Sequence, residues 1–232
     1  MRPDAVVLLW DLDGTLLTTG RAGVYALEEA LAEVCGVKRS LQELATSGLT
    51  DAEVAELVLR TAGVSPEEEI VLAFLRAYER RLPAALPRRQ GRVLEGVEAI
   101  LADLHGRDDV LSLLATGNTR AGAAAKLRHY GLGAHFDGDG AFCVGPGPRE
   151  SIVRAAVERA ADRLGTEPVG DRLYLIGDTP HDLRCGRAVS ARTIAVASGS
   201  HSASELAAHE PWIVLERLPE PGTFRKLVGL PA

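Results

Sequence analysis

Ala5-Val6-Val7-Leu8-Leu9-Trp10-Asp11-Leu12-Asp13-Gly14-Thr15 is the stretch that decides the fold of this 232-residue chain. Six apolar residues in a row, without polar alternation, suit a parallel strand covered on both faces by helices. The run is too short for a signal-peptide core or a membrane span, and two acids follow it at once. A strand that ends abruptly in Asp-x-Asp-Gly places carboxylates where an open parallel sheet binds its ligands, just beyond the carboxyl ends of the strands.

Outward from this point the same pattern recurs. Val110 to Ala115 runs into Thr116-Gly117-Asn118, Leu173 to Ile176 runs into Gly177-Asp178-Thr179-Pro180-His181-Asp182, and Thr193 to Ala197 runs into Ser198-Gly199. Helical spacing fills the intervals: Val97, Ile100, Leu101 and Leu104 ending at Gly106, then Ile152, Val153, Ala156, Val157, Ala160 and Leu164 ending at Gly165. Alternation of this kind predicts an α/β fold with a doubly wound, mostly parallel sheet. Residues 18–90 break the rhythm with three successive helical patterns and no convincing strand, so they predict an inserted helical cap domain, with residues 1–17 and 91–232 forming the core. The first cap helix carries Val24, Leu27, Leu31 and Val34. The second opens on the capping box Thr50-x-x-Glu53, the third on Ser65-Pro66 with Glu68, and Pro83 and Pro87 mark the way back. The glycine-rich segment Gly131 to Pro148 reads as a loop.

Composition narrows the function. Hydrophobic residues at 46% and charged residues at 25% are those of an ordinary globular protein, and a net charge of -6 offers no basic footprint for nucleic acid or anionic lipid. A small-molecule partner is expected, with neither nucleic acid nor membrane involved, and monomer and homodimer both stay open. Cys35, Cys143 and Cys185 are widely spaced, odd in number and free of any CxxC, which points to a reducing cytoplasmic setting rather than a disulfide framework or a zinc cluster. The six histidines make no metal-binding spacing. Arg76, Arg80, Arg81, Arg88 and Arg89 read as a solvated helix face and hinge.

Four acids, Asp11, Asp13, Asp178 and Asp182, are expected to share one crevice with Thr116 and Asn118. Such crowding needs a cation, and oxygen-only ligands select a hard ion such as Mg²⁺. At this point DLDGT, the LLATGN segment and GDTPHD resemble signature motifs of the haloacid-dehalogenase (HAD) superfamily in order, spacing and placement at strand ends. The insertion resembles the helical cap of the phosphoglycolate-phosphatase-like branch, including the segment Ser47 to Val54. The resemblance implies a Rossmannoid core and a Mg²⁺-dependent phosphohydrolase acting on a small phosphorylated metabolite. Asp11 would attack phosphorus to give an aspartyl phosphate, and Asp13 would serve as general acid and base. Asp11, Asp13 through its backbone carbonyl, Asp178 and Asp182 would hold the metal, while Thr116, Gly117 and Asn118 would grip the phosphoryl group. The family usually supplies a lysine before the helix that precedes the GD strand. This chain has only Lys38, Lys126 and Lys226, none of them there, so Arg149 is the candidate for that charge, ahead of Arg154 and Lys126.

Other activities remain to be weighed. A sugar phosphomutase of the same superfamily resembles its relatives in using cap His and Lys residues, yet residues 18–90 contain no histidine and only Lys38. A phosphonatase needs a cap lysine, and a dehalogenase needs neither Asp13 nor the metal set. A weakly active or non-catalytic phosphate-binding protein is the alternative from a different class.

Overall fold

The computed structural model describes residues 2–136, 138–168 and 170–231. In chain order the elements are β1 (Val6–Trp10), β2 (Leu17–Thr18), α1 (Gly23–Cys35), α2 (Asp51–Thr61), α3 (Glu68–Ala85), β3 (Arg92–Val93), α4 (Val97–Leu104), β4 (Val110–Thr119) and α5 (Arg120–His129). They continue with β5 (Gly140–Cys143), α6 (Arg149–Leu164), β6 (Leu173–Gly177), α7 (Pro180–Ala188), β7 (Arg192–Val196), α8 (Ala203–Ala207), β8 (Ile213–Leu215) and α9 (Pro221–Leu227).

Six strands form one sheet in the order β5-β4-β1-β6-β7-β8, and every pair in it is parallel. The unbroken apolar run of β1 has its cause here: β1 lies inside the sheet, and side chains on alternate residues face opposite layers. Val7 and Leu9 join Leu113 and the α6 residues Ile152, Val153 and Ala156 on one side. Val6, Leu8 and Trp10 join Ile100, Leu101 and Leu104 of α4 on the other, where Trp10 also stacks on Phe224 of α9 with ring centroids 5.6 Å apart. All five β1 side chains are buried.

The insertion leaves and re-enters the core through a short antiparallel ribbon, Leu17 opposite Val93 and Thr18 opposite Arg92. Between its strands, α1, α2 and α3 bury Leu27, Leu31, Val58, Leu59, Phe74 and Leu82 in a common core. The exposed arginines answer to the acids of α1: Arg80 and Arg81 pair with Glu33, Arg88 pairs with Glu29, and the Arg88 guanidinium lies 3.9 Å from the Tyr25 ring centre. That is a solvated face, as the sequence predicts.

Four local expectations are corrected. The segment Gly131 to Pro148 is not all loop, because Gly140–Cys143 pairs with β4 as the edge strand β5. Thr18 belongs to a strand, so the insertion is bounded by a ribbon rather than strand-free. Pro83 does not end the third helix of the insertion but sits inside it, two residues before its end at Ala85. Ser65 does not cap that helix; it starts at Glu68 with Glu67 in the cap position and no side-chain cap bond. The capping box of Thr50 and Glu53 is present as read. No helix among the described residues is long and apolar enough to cross a membrane, and Cys35, Cys143 and Cys185 are free.

Candidate active site

Register builds the site. Trp10 at the end of β1 is paired with Leu114 on one side and Ile176 on the other, so Asp11, Thr116 and Asp178 emerge together from three adjacent strands. The Asp11 amide donates to the Ile176 carbonyl at 3.0 Å, which extends this alignment one residue past the strand. Gly14 then turns the chain with φ +85°, and a Cβ at this position would stand 2.3 Å from an Asp178 carboxylate oxygen. Only glycine allows both the left-handed turn and that approach. The Ser198 hydroxyl, in the loop after β7, ties the turn down by donating to the Gly14 carbonyl at 2.7 Å.

Asp11, Asp178 and Asp182 are buried, and each offers an oxygen lying within 4.8 Å of the others. Arg149, the first residue of α6, is buried against two of them: Nη2 lies 3.0 Å from Oδ1 of Asp11 and 2.6 Å from Oδ1 of Asp182. The other oxygen of Asp182 accepts from the amide and hydroxyl of Thr179 at 3.1 and 2.6 Å, completing the capping box of α7. Both oxygens of Asp182 are therefore engaged. Asp178 accepts from the Thr15 hydroxyl at 3.4 Å.

A second group forms around Asp13, whose side chain is 42% exposed. Its Oδ2 accepts from Asn118 Nδ2 at 2.8 Å and from Lys126 Nζ at 2.5 Å, and Lys126 also donates to Asn118 Oδ1 at 2.6 Å. Asn118 Nδ2 reaches the Thr116 hydroxyl oxygen at 2.9 Å as well. The pairing of β4 with β5 is irregular between Thr116 and Thr119, a distortion of the kind that re-aims side chains beside functional sites.

The helical insertion covers this end of the sheet. At Gly117 a Cβ would come within 3.0 Å of the Thr50 Cα and 2.8 Å of Arg149 Nη1, so the absence of a side chain lets the insertion sit directly on β4. Asp51, the first residue of α2, accepts from the Thr119 amide at 2.7 Å, and Arg149 Nη1 donates to the Gly48 carbonyl at 3.4 Å. Between the layers lies a half-open cavity of about 520 Å³. Asp11, Asp13, Asp178 and Asn118 form its floor, while Arg21, Val24, Ser47 and Tyr78 face it from the insertion.

Electrostatic crowding is evident. Burial, with repulsion from Asp182 and Asp13, pushes the Asp11 carboxyl up to about 7 against the pull of Arg149. Burial, with repulsion from Asp182 and Asp11, pushes Asp178 up to about 8. Burial opposes the charge of Lys126, but Asp13, Tyr78 and Asp51 outweigh it and hold its pKa above the ordinary value. If all four acids were ionised, four carboxylates would face only Arg149 and Lys126, a deficit of two positive charges in an oxygen-only donor set, and the raised Asp11 and Asp178 carboxyls are the response of the metal-free site to that deficit. A hard divalent cation fits that deficit in charge and in ligand type.

All the residues singled out from the sequence fall in or beside this site except Arg154, which is exposed. Thr116 is fully enclosed beneath Asn118, whereas Gly117, Asn118 and Arg149 line the cavity. Arg149 and Lys126 are alternatives in the sequence but partners in the structure, one beside Asp11 and the other beside Asp13. Tyr78 and Arg21 were not legible as site residues, because nothing local distinguishes them from core and surface residues, and Asp51 falls within the segment Ser47 to Val54 that the sequence marks without being singled out there.

Known proteins bear on this geometry. Residues 8–187 match the haloacid dehalogenase-like hydrolase family. The chain is 30% identical over 229 residues to the probable phosphatase IndB of Dickeya dadantii, covering 96% of this chain and 92% of that protein. It is 29% identical over 193 residues to the tyrosine-protein kinase PtkA of Mycobacterium tuberculosis, covering 83% of this chain but only 62% of the kinase. In fold it is similar to a β-phosphoglucomutase from Clostridium difficile, with a TM-score of 0.69 at 15% identity over 97% of each chain.

Proposed function

The chain belongs to the haloacid dehalogenase-like hydrolase family, and on that premise we propose that it is a Mg²⁺-dependent phosphatase that hydrolyses a small phosphorylated metabolite through an aspartyl phosphate on Asp11. The observation that carries this reading is the buried triad Asp11, Asp178 and Asp182, with half-exposed Asp13 beside it at the floor of the cavity between the core and the insertion. We further assign residues 18–90 as the cap and residues 1–17 and 91–232 as the core.

Asp11 and Asp178 would hold Mg²⁺ together with the backbone carbonyl of Asp13, and Asp182 would support the site from behind Arg149. When bound, the ion neutralises charge on the phosphoryl oxygens and the surrounding acids. Arg149 fixes the orientation of Asp11 and supplies a second positive charge, while Gly117 and Asn118 offer the backbone at the end of β4 to the phosphoryl group. Asp11 attacks phosphorus as Asp13 protonates the departing alcohol. The resulting Asp13 carboxylate then takes a proton from water as that water attacks the phosphoryl-aspartate. Unaided hydrolysis of phosphate monoesters is slow enough that enzymes accelerate it by as much as ~10²¹-fold, and positioning with charge stabilisation is the means. The cap covers the cavity in part and would limit the access of bulk water to the reacting groups.

The phosphomutase reading fits this cap poorly. Its one lysine, Lys38, is exposed and does not line the cavity. The test is release of inorganic phosphate from a panel of small phosphate monoesters, with Mg²⁺ and with EDTA. Metal-dependent release is expected. No release, or equal release in EDTA, overturns the proposal, and preferential transfer to a sugar hydroxyl replaces it with the mutase.

The carboxyl shifts give a second expectation. Asp11 and Asp178 bind protons more tightly in the fold, at about 7 and about 8, than their ordinary value of 3.8. Their contribution to stability is therefore complete below about pH 4 and is lost as pH rises through 7 and 8. Metal-free protein should melt at progressively lower temperature from pH 6 to pH 9, and Mg²⁺ should raise the melting temperature most at the alkaline end, where its ligands are ionised. Melting curves that are flat in pH and indifferent to Mg²⁺ contradict this.

A further inference from the structure

Lys126 lies in the seventh position of α5, yet only 6% of it is exposed. Side chains on a helix lean toward its N-terminus, so this long one runs back along α5 to the end of β4. It emerges beside Asp13 and Asn118, at 2.5 and 2.6 Å. Burying an ammonium costs several kcal/mol unless partners repay it, so a lysine here has a defined task. Arg149 already occupies the place beside Asp11, where it pairs with Asp11 and Asp182. What Lys126 and Asn118 do together is hold a single oxygen, Oδ2 of Asp13, from two directions. The Asp13 carboxylate is otherwise half exposed at a glycine turn and free to rotate toward the acidic triad.

We propose that Lys126 is a positioning residue for proton transfer: with Asn118 it pins Oδ2 of Asp13 and thereby aims Oδ1 at the ester oxygen of the leaving group. This rests on the phosphatase reading, with Asp13 as general acid. Thr116 anchors Asn118 from below, and Asp51 at the start of α2 closes over the same corner by accepting from Thr119. The acid is thus oriented by a frame made of β4, α5 and the docked cap, and a displacement of about 1 Å in such a group costs on the order of 10²-fold in rate.

The test separates positioning from mere folding by using leaving groups of graded basicity. Wild type, Lys126→Met and Lys126→Arg are compared on p-nitrophenyl phosphate, phenyl phosphate and an alkyl phosphate, with kcat/KM and KM measured separately. p-Nitrophenolate departs without a proton, whereas an alkoxide requires one, and general acid catalysis is worth roughly 10²–10⁴-fold. Lys126→Met should lose about tenfold on the nitrophenyl ester and at least about 100-fold on the alkyl ester, with KM little changed, and Lys126→Arg should recover part of the difference. A variant that folds poorly lowers all substrates by one factor, so the ratio between substrates is unaffected by the active fraction. An equal loss across the series, or a loss confined to KM, overturns the positioning role. Wild type inert toward every ester overturns the phosphatase reading instead.

Discussion

Asp11→Asn is expected to lower phosphate release by roughly 10⁴-fold or more, the scale seen when a nucleophile is removed from a preorganised site. The substitution is nearly isosteric, so the turn at Gly14 and the packing of Trp10 are retained, and the loss is one of chemistry. Asn lacks the charge to attack phosphorus and is a weaker metal ligand. Stability should move the other way. Asp11 is buried, and its carboxyl is pushed up to about 7 by that burial and by neighbouring acids. Removing its charge relieves the crowd, and in metal-free buffer at pH 8 the variant should melt above wild type. Mg²⁺ should then stabilise it less. Colorimetric phosphate release and melting curves of the same preparation check both arms. Turnover that survives in Asp11→Asn rejects this residue as nucleophile, and a lower melting temperature rejects the view that its charge strains the apo fold.

Much of this architecture is readable from local sequence because the strongest signals are periodic. A short apolar run that stops abruptly at acidic or small polar residues reads as a buried strand feeding a crevice, and three such runs in order place Asp11, Thr116 and Asp178 side by side once the sheet is parallel. The capping box at Thr50 is equally local. What escapes is whatever depends on partners distant in sequence. β5 has four residues, among them Gly140, and is a strand only because β4 lies alongside it. β8 is three half-buried residues at the far edge. Asp51 looks like an ordinary helix-start acid until the cap docks it on Thr119, 68 residues away. Lys126 carries a faint signal after the fact: it is one of three lysines, set after Ala123-Ala124-Ala125 on the face of α5 that also carries Gly122. Its bond to Asp13 spans 113 residues, and no spacing rule reaches that far.

Arg149→Ala is expected to damage stability and turnover together, in contrast to Asp11→Asn. The guanidinium is buried against Asp11 and Asp182 and reaches the Gly48 carbonyl of the cap through its other nitrogen. Removing one partner from a buried ion cluster leaves the remaining charges uncompensated, and such losses run to about 3–5 kcal/mol. Removing a fixed cation from the place where phosphoryl charge develops costs on the order of 10²–10³-fold in kcat. Urea unfolding should show the stability loss most fully without metal, and saturating Mg²⁺ should restore part of it, because a divalent ion supplies positive charge to the same acids. It should not restore the rate to the same degree, since the ion cannot occupy the position from which Arg149 orients Asp11. Arg149→Lys should fall between, because an ammonium is a point charge and cannot keep Asp11, Asp182 and Gly48 engaged at once. Equal urea midpoints and equal kcat for Arg149→Ala and wild type would remove this residue from the site. A stability loss that Mg²⁺ leaves untouched would mean that the ion and the guanidinium do not share the burden of these acids.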